Sequence, residues 1–287
     1  MPLAIPLTLD NIRSTLATTS LGQCLYLHQE LPSTNSEALA LAQAGADHGT
    51  VVVAESQSAG KGRRTRTWHS PPGTNIYCSV IVRGIGSACA LAEWLSWVPL
   101  TSALAAAEAV QTATSLSLSL KWPNDLLLQE RKVGGILCES SHVSASDPVV
   151  VIGIGLNVNM PQESFPDELR PIATSLFEVS RHPIDRNRLI AQLLFELEQG
   201  LNELRSHGSE RLRRAYSARC STLGRRVRAL IGPEQELLGT AESISTDGAL
   251  QIRPLSSSPT APPLIGIRAA DVIHLNPHYS VRRGKAH

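Results

Sequence analysis

The sequence has few aromatic residues and almost no net charge. Phe, Trp and Tyr make up 4% of its 287 residues, so aliphatic side chains must supply most of the core. The formal net charge at pH 7 is +1, whereas a nucleic-acid-binding domain is usually strongly basic. The composition therefore gives no support for generic nucleic-acid binding, and any contact with phosphate must be local.

The chain also lacks paired cysteines and long apolar runs. Its five cysteines are widely spaced, without a C-x-x-C pair, and there is no H-E-x-x-H sequence, so no zinc site is indicated. No segment has the roughly 20 apolar residues of a membrane span. Asp10 and Arg13 lie where a signal peptide would have its apolar centre. These absences predict a cytoplasmic protein with reduced thiols and no membrane contact.

The patterns along the chain predict an α+β fold with a mixed or antiparallel sheet. A capping-box pattern at Thr34 and Glu37 predicts a helix over 35–44, and Pro99 suits the first turn of a second helix that ends near Thr114. Leucines at helical spacing after Asp185 predict a third helix. Alternating or near-continuous apolar runs predict strands at 51–54, 75–82 and 149–159, and a hairpin from 126 to 140.

The texture changes to short strands after Cys220. Asp247-Gly248 is a hairpin turn signal, and SSSPTAPP (256–263) is predicted to be an exposed hairpin loop. We therefore expect a domain at 1–220, a small all-β barrel at 221–276 and a disordered tail at 277–287. The proline-rich segment 161–172 is expected to be a mobile surface loop.

Four clusters of polar residues and glycines stand out, and each is weak evidence by itself. Ser33-Thr34-Asn35 is typical of helix capping, and the basic run around Lys61, with four cations in six residues, is typical of a solvated loop. GKG fails as a Walker loop because Gly62 occupies the Ser/Thr position. The remaining clusters are KWPND (121–125) with KVGG (132–135), and GIGLNVN (153–159).

Together these clusters make the chain similar to the biotin protein ligases, also called biotin–[acetyl-CoA-carboxylase] ligases. The resemblance runs from Tyr26 to Leu275. It consists of the S-T-N helix start, Q-S-A-G-K-G-R-R, K-W-P-N-D, R-K-V-G-G-I-L, G-I-G-L-N and the terminal strands, in this order. It implies a mixed sheet with helices like that of class II aminoacyl-tRNA synthetases and biotin ligases, followed by an SH3-like β barrel.

The resemblance also implies a two-step reaction. Biotin and ATP, with Mg²⁺, form biotinyl-5′-adenylate, and a lysine of a biotin carboxyl carrier domain of acetyl-CoA carboxylase or a related carboxylase then displaces AMP. Cations suit the first step because they offset the repulsion between a carboxylate and a polyanionic triphosphate. The sequence leaves open whether the protein is a monomer or a homodimer.

The roles implied by the resemblance fall on the matching residues of this chain. Arg63, Lys132 and Asp125 are the expected catalytic residues, with Asp125 also the expected Mg²⁺ contact. Expected to bind biotin are Ser33, Thr34, Asn35, Gln57, Lys61, Gly62, Arg63 and Lys132. Expected to bind ATP or the adenylate are Gly60, Lys61, Arg63, Arg66, Trp68 and Asn157.

One position departs from the family pattern, because Thr65 stands where relatives often have a third glycine. Its β-branched side chain restricts φ and is expected to stiffen that point of the loop. Two other functions remain open, namely a lipoate or octanoate ligase or transferase, and a phosphate- or nucleic-acid-binding module. Only 32 residues precede Ser33, so we expect a monofunctional ligase without specific DNA binding.

Overall fold

The computed structural model describes residues 5–84, 91–144, 147–232, 235–256, 262–268 and 270–275. The predicted tail 277–287 lies outside these residues, as does most of the predicted loop 256–263.

The N-terminal part of the described chain contains seven strands and six α-helices. The strands are β1 (Leu25–Leu31), β2 (Val51–Gln57), β3 (Ile76–Arg83), β4 (Ser119–Lys121), β5 (Asp125–Leu128), β6 (Arg131–Ser144) and β7 (Asp147–Leu156). The helices are α1 (Leu9–Thr15), α2 (Thr34–Gln43), α3 (Leu91–Thr114), α4 (Leu176–Ser180), α5 (Arg186–His207) and α6 (Glu210–Arg219).

These strands form a single sheet in the order β1-β2-β3-β7-β6-β5-β4. The β1–β2 pair is parallel, and all the other neighbours are antiparallel. The predicted mixed sheet is therefore confirmed. Side chains alternate between its faces, so Val51 and Val53 pack in the main core while Val52 packs with α2 on the opposite face.

Two helix starts differ from the predictions. Helix α3 begins at or before Leu91, and Pro99 lies inside it. A proline inside a helix removes one hydrogen bond, but the buried Trp94 and Trp97 extend the apolar face ahead of Pro99, and their packing outweighs that loss. In α2 the N-cap is Ser33, not Thr34, because the Ser33 carbonyl accepts the first intrahelical hydrogen bond, from the Glu37 N–H at 3.1 Å.

The two faces of the sheet are covered differently. Helices α3 and α5 pack against each other in the main core, whereas α2 alone forms a small core with the other face, through Ala38, Ala42 and Val151. Residues 151, 153 and 155 alternate onto the same face of β7. The sheet therefore continues past the N-terminus of α2 with glycines, which leaves room above it for a cavity.

The C-terminal strands form a second, wholly antiparallel sheet. They are β8 (Arg226–Leu230), β9 (Glu236–Ile244), β10 (Leu250–Pro254), β11 (Ile265–Ile267) and β12 (Asp271–His274), in the order β11-β10-β9-β8-β12. The predicted change to short strands is confirmed. Closure into a barrel is not seen in the described residues, because the three-residue β11 and the four-residue β12 are opposite edges of the sheet.

None of the described helices is both long enough and apolar enough to cross a bilayer.

Candidate active site

A cavity of about 750 Å³ lies above the glycines of β7, between the N-terminus of α2, the basic loop and the edge of the C-terminal sheet. The predicted site residues that line it are Ser33, Thr34, Asn35, Gln57, Lys61, Gly62, Arg63, Arg66, Trp68, Asp125, Lys132 and Asn157. Gly60 is the predicted site residue that lies behind this wall, where its carbonyl accepts a hydrogen bond from the Trp68 N–H. The fold thus brings together residues from four separate sequence motifs.

One end of the cavity is built on a buried polar network around Asn35, which is 4% exposed. Its Nδ2 donates to the carbonyl of Leu137 at 3.1 Å and to the carboxylate of Glu139 at 2.7 Å. The hydroxyl of Ser79 lies 2.6 Å from Asn35 Oδ1 and 2.8 Å from Thr34 Oγ1. The amide of Asn35 is therefore held from both sides before any ligand binds.

Gly153 makes this arrangement possible. A Cβ added at Gly153 would lie 2.1 Å from Asn35 Oδ1, far inside van der Waals contact. The sequence analysis identified GIGLN as a motif, and the structure shows the physical need for its first glycine. Asn35 fills the space directly above this glycine.

Gln57 links the helix start to the basic loop. Its Oε1 accepts from the Thr34 N–H at 2.9 Å, and its Nε2 donates to Ser70 Oγ at 2.9 Å. Ser70 Oγ in turn donates to the Trp68 carbonyl at 2.9 Å. Both ends of the Gln57 amide are thus engaged, which fixes the position of β2 relative to the loop.

The indole of Trp68 lies flat against β7. A Cβ at Gly155 would come within 2.8 Å of Trp68 Nε1, so only glycine allows the ring to lie this close. Lys132 Nζ lies 5.4 Å from the centroid of the ring, within the range of a cation–π contact. Trp68 Nε1 is buried and has no hydrogen-bond partner within the described part of the chain, so it is a donor available to a ligand.

Lys132 and Asp125 form an ion pair in the cavity wall. Lys132 Nζ lies 2.5 Å from Asp125 Oδ1, and both side chains remain partly exposed to the cavity. Strand pairing of β5 with β6 sets this contact, because Leu127 lies opposite Lys132 and Asp125 lies opposite Gly135. The pair places an ammonium and a carboxylate, both with free capacity, side by side.

Arg63 reaches into the cavity from the basic loop. Its Nη1 donates to Asn124 Oδ1 at 3.1 Å and to the Ala270 carbonyl at 3.3 Å. Burial lowers the pKa of the Arg63 guanidinium, and the charge of Asp271 opposes that effect. A partly desolvated cation interacts strongly with an anion, because water screens it less.

The rest of the basic loop is fastened to the C-terminal sheet. Arg64 and Arg66 both pair with the carboxylate of Asp271, and Arg64 Nη2 donates to the Leu230 carbonyl at 2.9 Å. The loop contains a short 3₁₀ helix at Arg63–Thr65. Within it, Arg64 and Thr65 have φ values of 53° and 61°, which lie in the left-handed region. This region is unfavourable for a β-branched residue such as Thr65.

The charged or titratable residues of the wall that the sequence analysis did not identify include Lys121, Asp271 and His274. Lys121 begins the KWPND motif, so the motif itself was the available signal. Burial lowers the pKa of Lys121, and Asp125 partly offsets this. Burial and the charges of Lys121 and Arg225 lower the pKa of His274 to about 4. Asp271 and His274 come from β12, and nothing in the sequence signals their position.

The segment 161–172 forms an apolar side of the cavity. Phe165 is 2% exposed and packs with Met160 and Ala173, and Leu169 adds to this cluster. The backbone of Lys132 fastens the segment, because its N–H donates to the Ile172 carbonyl at 2.8 Å. The expected mobility of this segment remains a prediction, but its apolar side chains are part of the cavity wall.

Asn157 lies on the cavity wall as predicted, and its side chain also has a structural role. Its Nδ2 donates to the Thr174 carbonyl at 3.0 Å, and its backbone N–H donates to the Val133 carbonyl at 2.8 Å. Asn35 and Trp68 cover the two glycines that precede Asn157 on β7, Gly153 and Gly155.

The cavity wall offers few ligands for a divalent cation. Among the residues that the structure describes, no group of three or more His, Cys, Asp or Glu side chains is arranged to hold a metal. Asp125 nevertheless turns a carboxylate oxygen toward the cavity, and oxygen is the ligand that Mg²⁺ prefers. The residues therefore fit a cation that takes most of its ligands from a phosphate and water.

Comparison with known proteins agrees with this geometry. Residues 28–159 match the model of the Biotin/lipoate A/B protein ligase family. The biotin–[acetyl-CoA-carboxylase] ligase of Mycobacterium tuberculosis is 36% identical over 247 residues, which cover 85% of this chain and 86% of that protein. The biotin protein ligase of Aquifex aeolicus, in complex with biotin and ATP, superposes with a TM-score of 0.73 at 27% identity, over 88% of this chain and 100% of that one.

A further relative is longer than this chain. The bifunctional ligase/repressor BirA of Bacillus subtilis is 35% identical over 220 residues, which cover 77% of this chain but 66% of that protein. The chain thus spans about two thirds of the length of that relative. The matched family model and the extent of these similarities show that the chain belongs to the biotin/lipoate A/B protein ligase family.

Proposed function

We propose that this protein is a biotin protein ligase, which activates biotin with ATP and transfers it to a lysine of a carrier domain. The observation that carries the proposal is the division of one cavity into two ends. A neutral hydrogen-bonding end at Asn35 suits the cyclic urea of biotin, and a cationic end at Lys132 and Arg63 suits its carboxylate and the α-phosphate. The apolar cluster around Phe165 suits the hydrocarbon between them.

In the first step, an oxygen of the biotin carboxylate attacks the α-phosphorus of ATP, and the bond from that phosphorus to pyrophosphate breaks. Lys132 and Arg63 offset the repulsion between the two anions and stabilise the charge that develops on the phosphate. Trp68, in the wall beside Lys132, contacts the nucleotide side of the adenylate. Ser33, Thr34, Gln57, Lys61 and Gly62 complete the biotin side, and Gly60, Arg66 and Asn157 support the nucleotide side.

In the second step, the amine of a carrier lysine attacks the carbonyl carbon of the adenylate, and the bond to AMP breaks. The incoming amine must be neutral, so its proton has to be lost before attack. The carboxylate of Asp125 is placed to orient the amine. In the first step, where Lys132 turns toward the biotin carboxylate, the Asp125 carboxylate would be free to hold the Mg²⁺ that accompanies ATP.

We also propose that residues 1–220 bind both substrates, and that 221–276 form an SH3-like module that completes the nucleotide side. The contact of Arg63 with Ala270, and those of Arg64 and Arg66 with Leu230 and Asp271, support this division of roles. The names of the M. tuberculosis relative and its family suggest the carrier domain of acetyl-CoA carboxylase as the acceptor. Monomeric and homodimeric forms are both compatible with a complete site in one chain.

The main alternative is lipoate or octanoate transfer, because the family model covers both cofactors. Lipoate has a dithiolane ring in place of the urea, so it brings no N–H donor to the polar network at Asn35 and forgoes a hydrogen bond worth about 0.5–1.5 kcal/mol. A module that binds nucleic acid through the basic loop fits less well, since Arg64 and Arg66 are already paired with Asp271.

The experiment is incubation of the protein with biotin, ATP, Mg²⁺ and a purified carrier domain. Intact-mass analysis is expected to show the mass of one biotinyl group on one lysine, with none when ATP is omitted. The Arg63→Ala variant is expected to bind biotin more weakly and to release pyrophosphate about 100-fold more slowly. Modification by lipoate and not by biotin would overturn the proposed function. Unchanged pyrophosphate release by the Arg63→Ala variant would overturn the role proposed for Arg63.

A further inference from the structure

Glu139 does not line the cavity but contacts Asn35, which does, and neither the sequence motifs nor the proposed reaction gives Glu139 a role. Its carboxylate accepts a hydrogen bond from Asn35 Nδ2 at 2.7 Å, beside the carbonyl of Leu137 at 3.1 Å. A carboxylate and a backbone carbonyl are both acceptors only. The two hydrogens of the Asn35 amide nitrogen are therefore both used on this side.

The orientation of the amide follows from these partners. A flipped Asn35 would place its carbonyl oxygen against two acceptors, which is unfavourable. The opposite side has a donor, because the Ser79 hydroxyl lies 2.6 Å from Oδ1. Since an amide oxygen has two lone pairs, Oδ1 keeps one for a ligand. Asn35 can thus offer an acceptor to the cavity, and it has no N–H left to donate.

We infer that Glu139 is a positioning residue that fixes the amide of Asn35 so that the cavity presents an acceptor to an N–H group of the ligand. The inference rests on the proposed function, in which that N–H belongs to the urea of biotin. Because Asn35 presents an acceptor here, the site favours a ligand with an N–H group at this point over one with a carbonyl oxygen. Glu139 therefore acts on biotin recognition and not on the chemistry at the cationic end.

The first test is Glu139→Gln. Glutamine keeps the size of the side chain but loses the charge-assisted hydrogen bond, and it can offer either a donor or an acceptor to Asn35. The dissociation constant for biotin, measured by calorimetry without ATP, is expected to rise about tenfold. The KM for ATP and the rate of transfer from preformed adenylate are expected to change by less than about twofold.

The matched control is Glu242→Gln, which removes the same charge from β9. Glu242 pairs with Arg253 on the C-terminal sheet and does not line the cavity. This variant is expected to bind biotin like the wild type. Circular dichroism and thermal unfolding of both variants show whether each is folded.

The second test is a rescue. Asn35→Asp alone sets a second carboxylate against Glu139 and is expected to weaken biotin binding about 100-fold or more. Adding Glu139→Gln to it supplies an amide donor to the new carboxylate, while the acceptor toward the cavity is kept. The double variant is expected to recover about tenfold of the affinity.

The outcomes separate this inference from the proposed function. If the wild type binds biotin and Glu139→Gln binds it within about twofold of the wild type, or if the double variant shows no recovery, the positioning role is wrong while the proposed function stands. If the wild type binds no biotin, the proposed function is wrong and the inference falls with it. Weaker binding by Glu139→Gln with recovery in the double variant supports both.

Discussion

The end of the cavity at Asn35 is held by hydrogen bonds within one sheet and its helix, whereas the end at Arg63 is held by contacts between two sheets. Asn35 and Thr34 are each 4% exposed, and their partners Ser79, Glu139 and Gln57 belong to neighbouring strands. Arg66, by contrast, has a side chain that is 63% exposed and pairs with Asp271 of the C-terminal sheet.

This difference teaches which end is formed in advance. A buried network with all its partners in place is rigid, because breaking any bond leaves an unsatisfied polar group. An exposed ion pair contributes about 0–1 kcal/mol and breaks readily. The end at Asn35 is therefore formed before a ligand arrives, while the end at Arg63 (the loop end) depends on the C-terminal sheet for its position.

The largest effect is expected from Gly153→Ala, which disrupts the hydrogen-bond network at the Asn35 end of the cavity. The new Cβ would lie 2.1 Å from Asn35 Oδ1 and would displace the amide from its partners. Biotin affinity, measured by calorimetry, is expected to fall about 100-fold. Gly232→Ala is the control, since the nearest atom to its Cβ is 3.8 Å away. Unchanged biotin binding by Gly153→Ala would contradict a rigid Asn35.

Asp271→Asn is expected to have a smaller effect, and only on the loop end. It removes the charge that pairs with both Arg64 and Arg66, so the loop leaves the C-terminal sheet more often. The KM for ATP is expected to rise about threefold to tenfold, while the dissociation constant for biotin stays the same. Glu242→Gln again serves as the control on the same sheet. An equal loss of biotin affinity would show that the two ends are not independent.

Acid is expected to lower the stability of the folded protein through protonation of His274 in the C-terminal sheet. The pKa of His274 is lowered to about 4, so the unfolded chain binds the proton more readily than the folded one. The stabilisation from neutral His274 is present above pH ~6.5 and is lost as the pH falls toward ~4. Between pH 7 and 5 the wild type is expected to lose about 1 kcal/mol more stability in urea unfolding than His274→Gln. Equal losses would contradict this.

The smallest effect is expected from Thr65→Gly, at the position that departs from the family pattern. Glycine relieves the strain at φ 61° but adds freedom to the unfolded chain, so the net gain in unfolding free energy is about 0.5 kcal/mol. Urea unfolding measures it, with Thr67→Gly as a control outside the left-handed turn. A loss of stability would mean that the hydroxyl contact of Thr65 with the Arg64 carbonyl outweighs the strain.

Much of the Asn35 end of the cavity could be predicted from the sequence, because its residues belong to short motifs. The S-T-N helix start, Gln57 and the glycines of GIGLN all lie on the cavity as predicted or directly beneath it. Local patterns predicted these elements because strand alternation and helix starts are local properties. Glu139 was missed because a single acidic residue on a strand is normally a solvated side chain.

The loop end was less predictable, because its partners are far apart in the sequence. Arg66 and Asp271 are separated by 205 positions, and no pattern links them. The predicted start of α3 was wrong for a different reason. Pro99 is a valid signal for a first helical turn, but the packing of Trp94 and Trp97 overrides it.

Hydrogen exchange with and without ligand tests the central claim, that one end is formed in advance and the other is not. The backbone amides of residues 34–37 and 57 are expected to be protected equally in the free protein and in the presence of biotin and ATP. Those of residues 61–67 are expected to gain protection only when both ligands are present. Equal protection of the loop in both states, or a ligand-induced gain at 34–37 as large as that in the loop, would contradict the account.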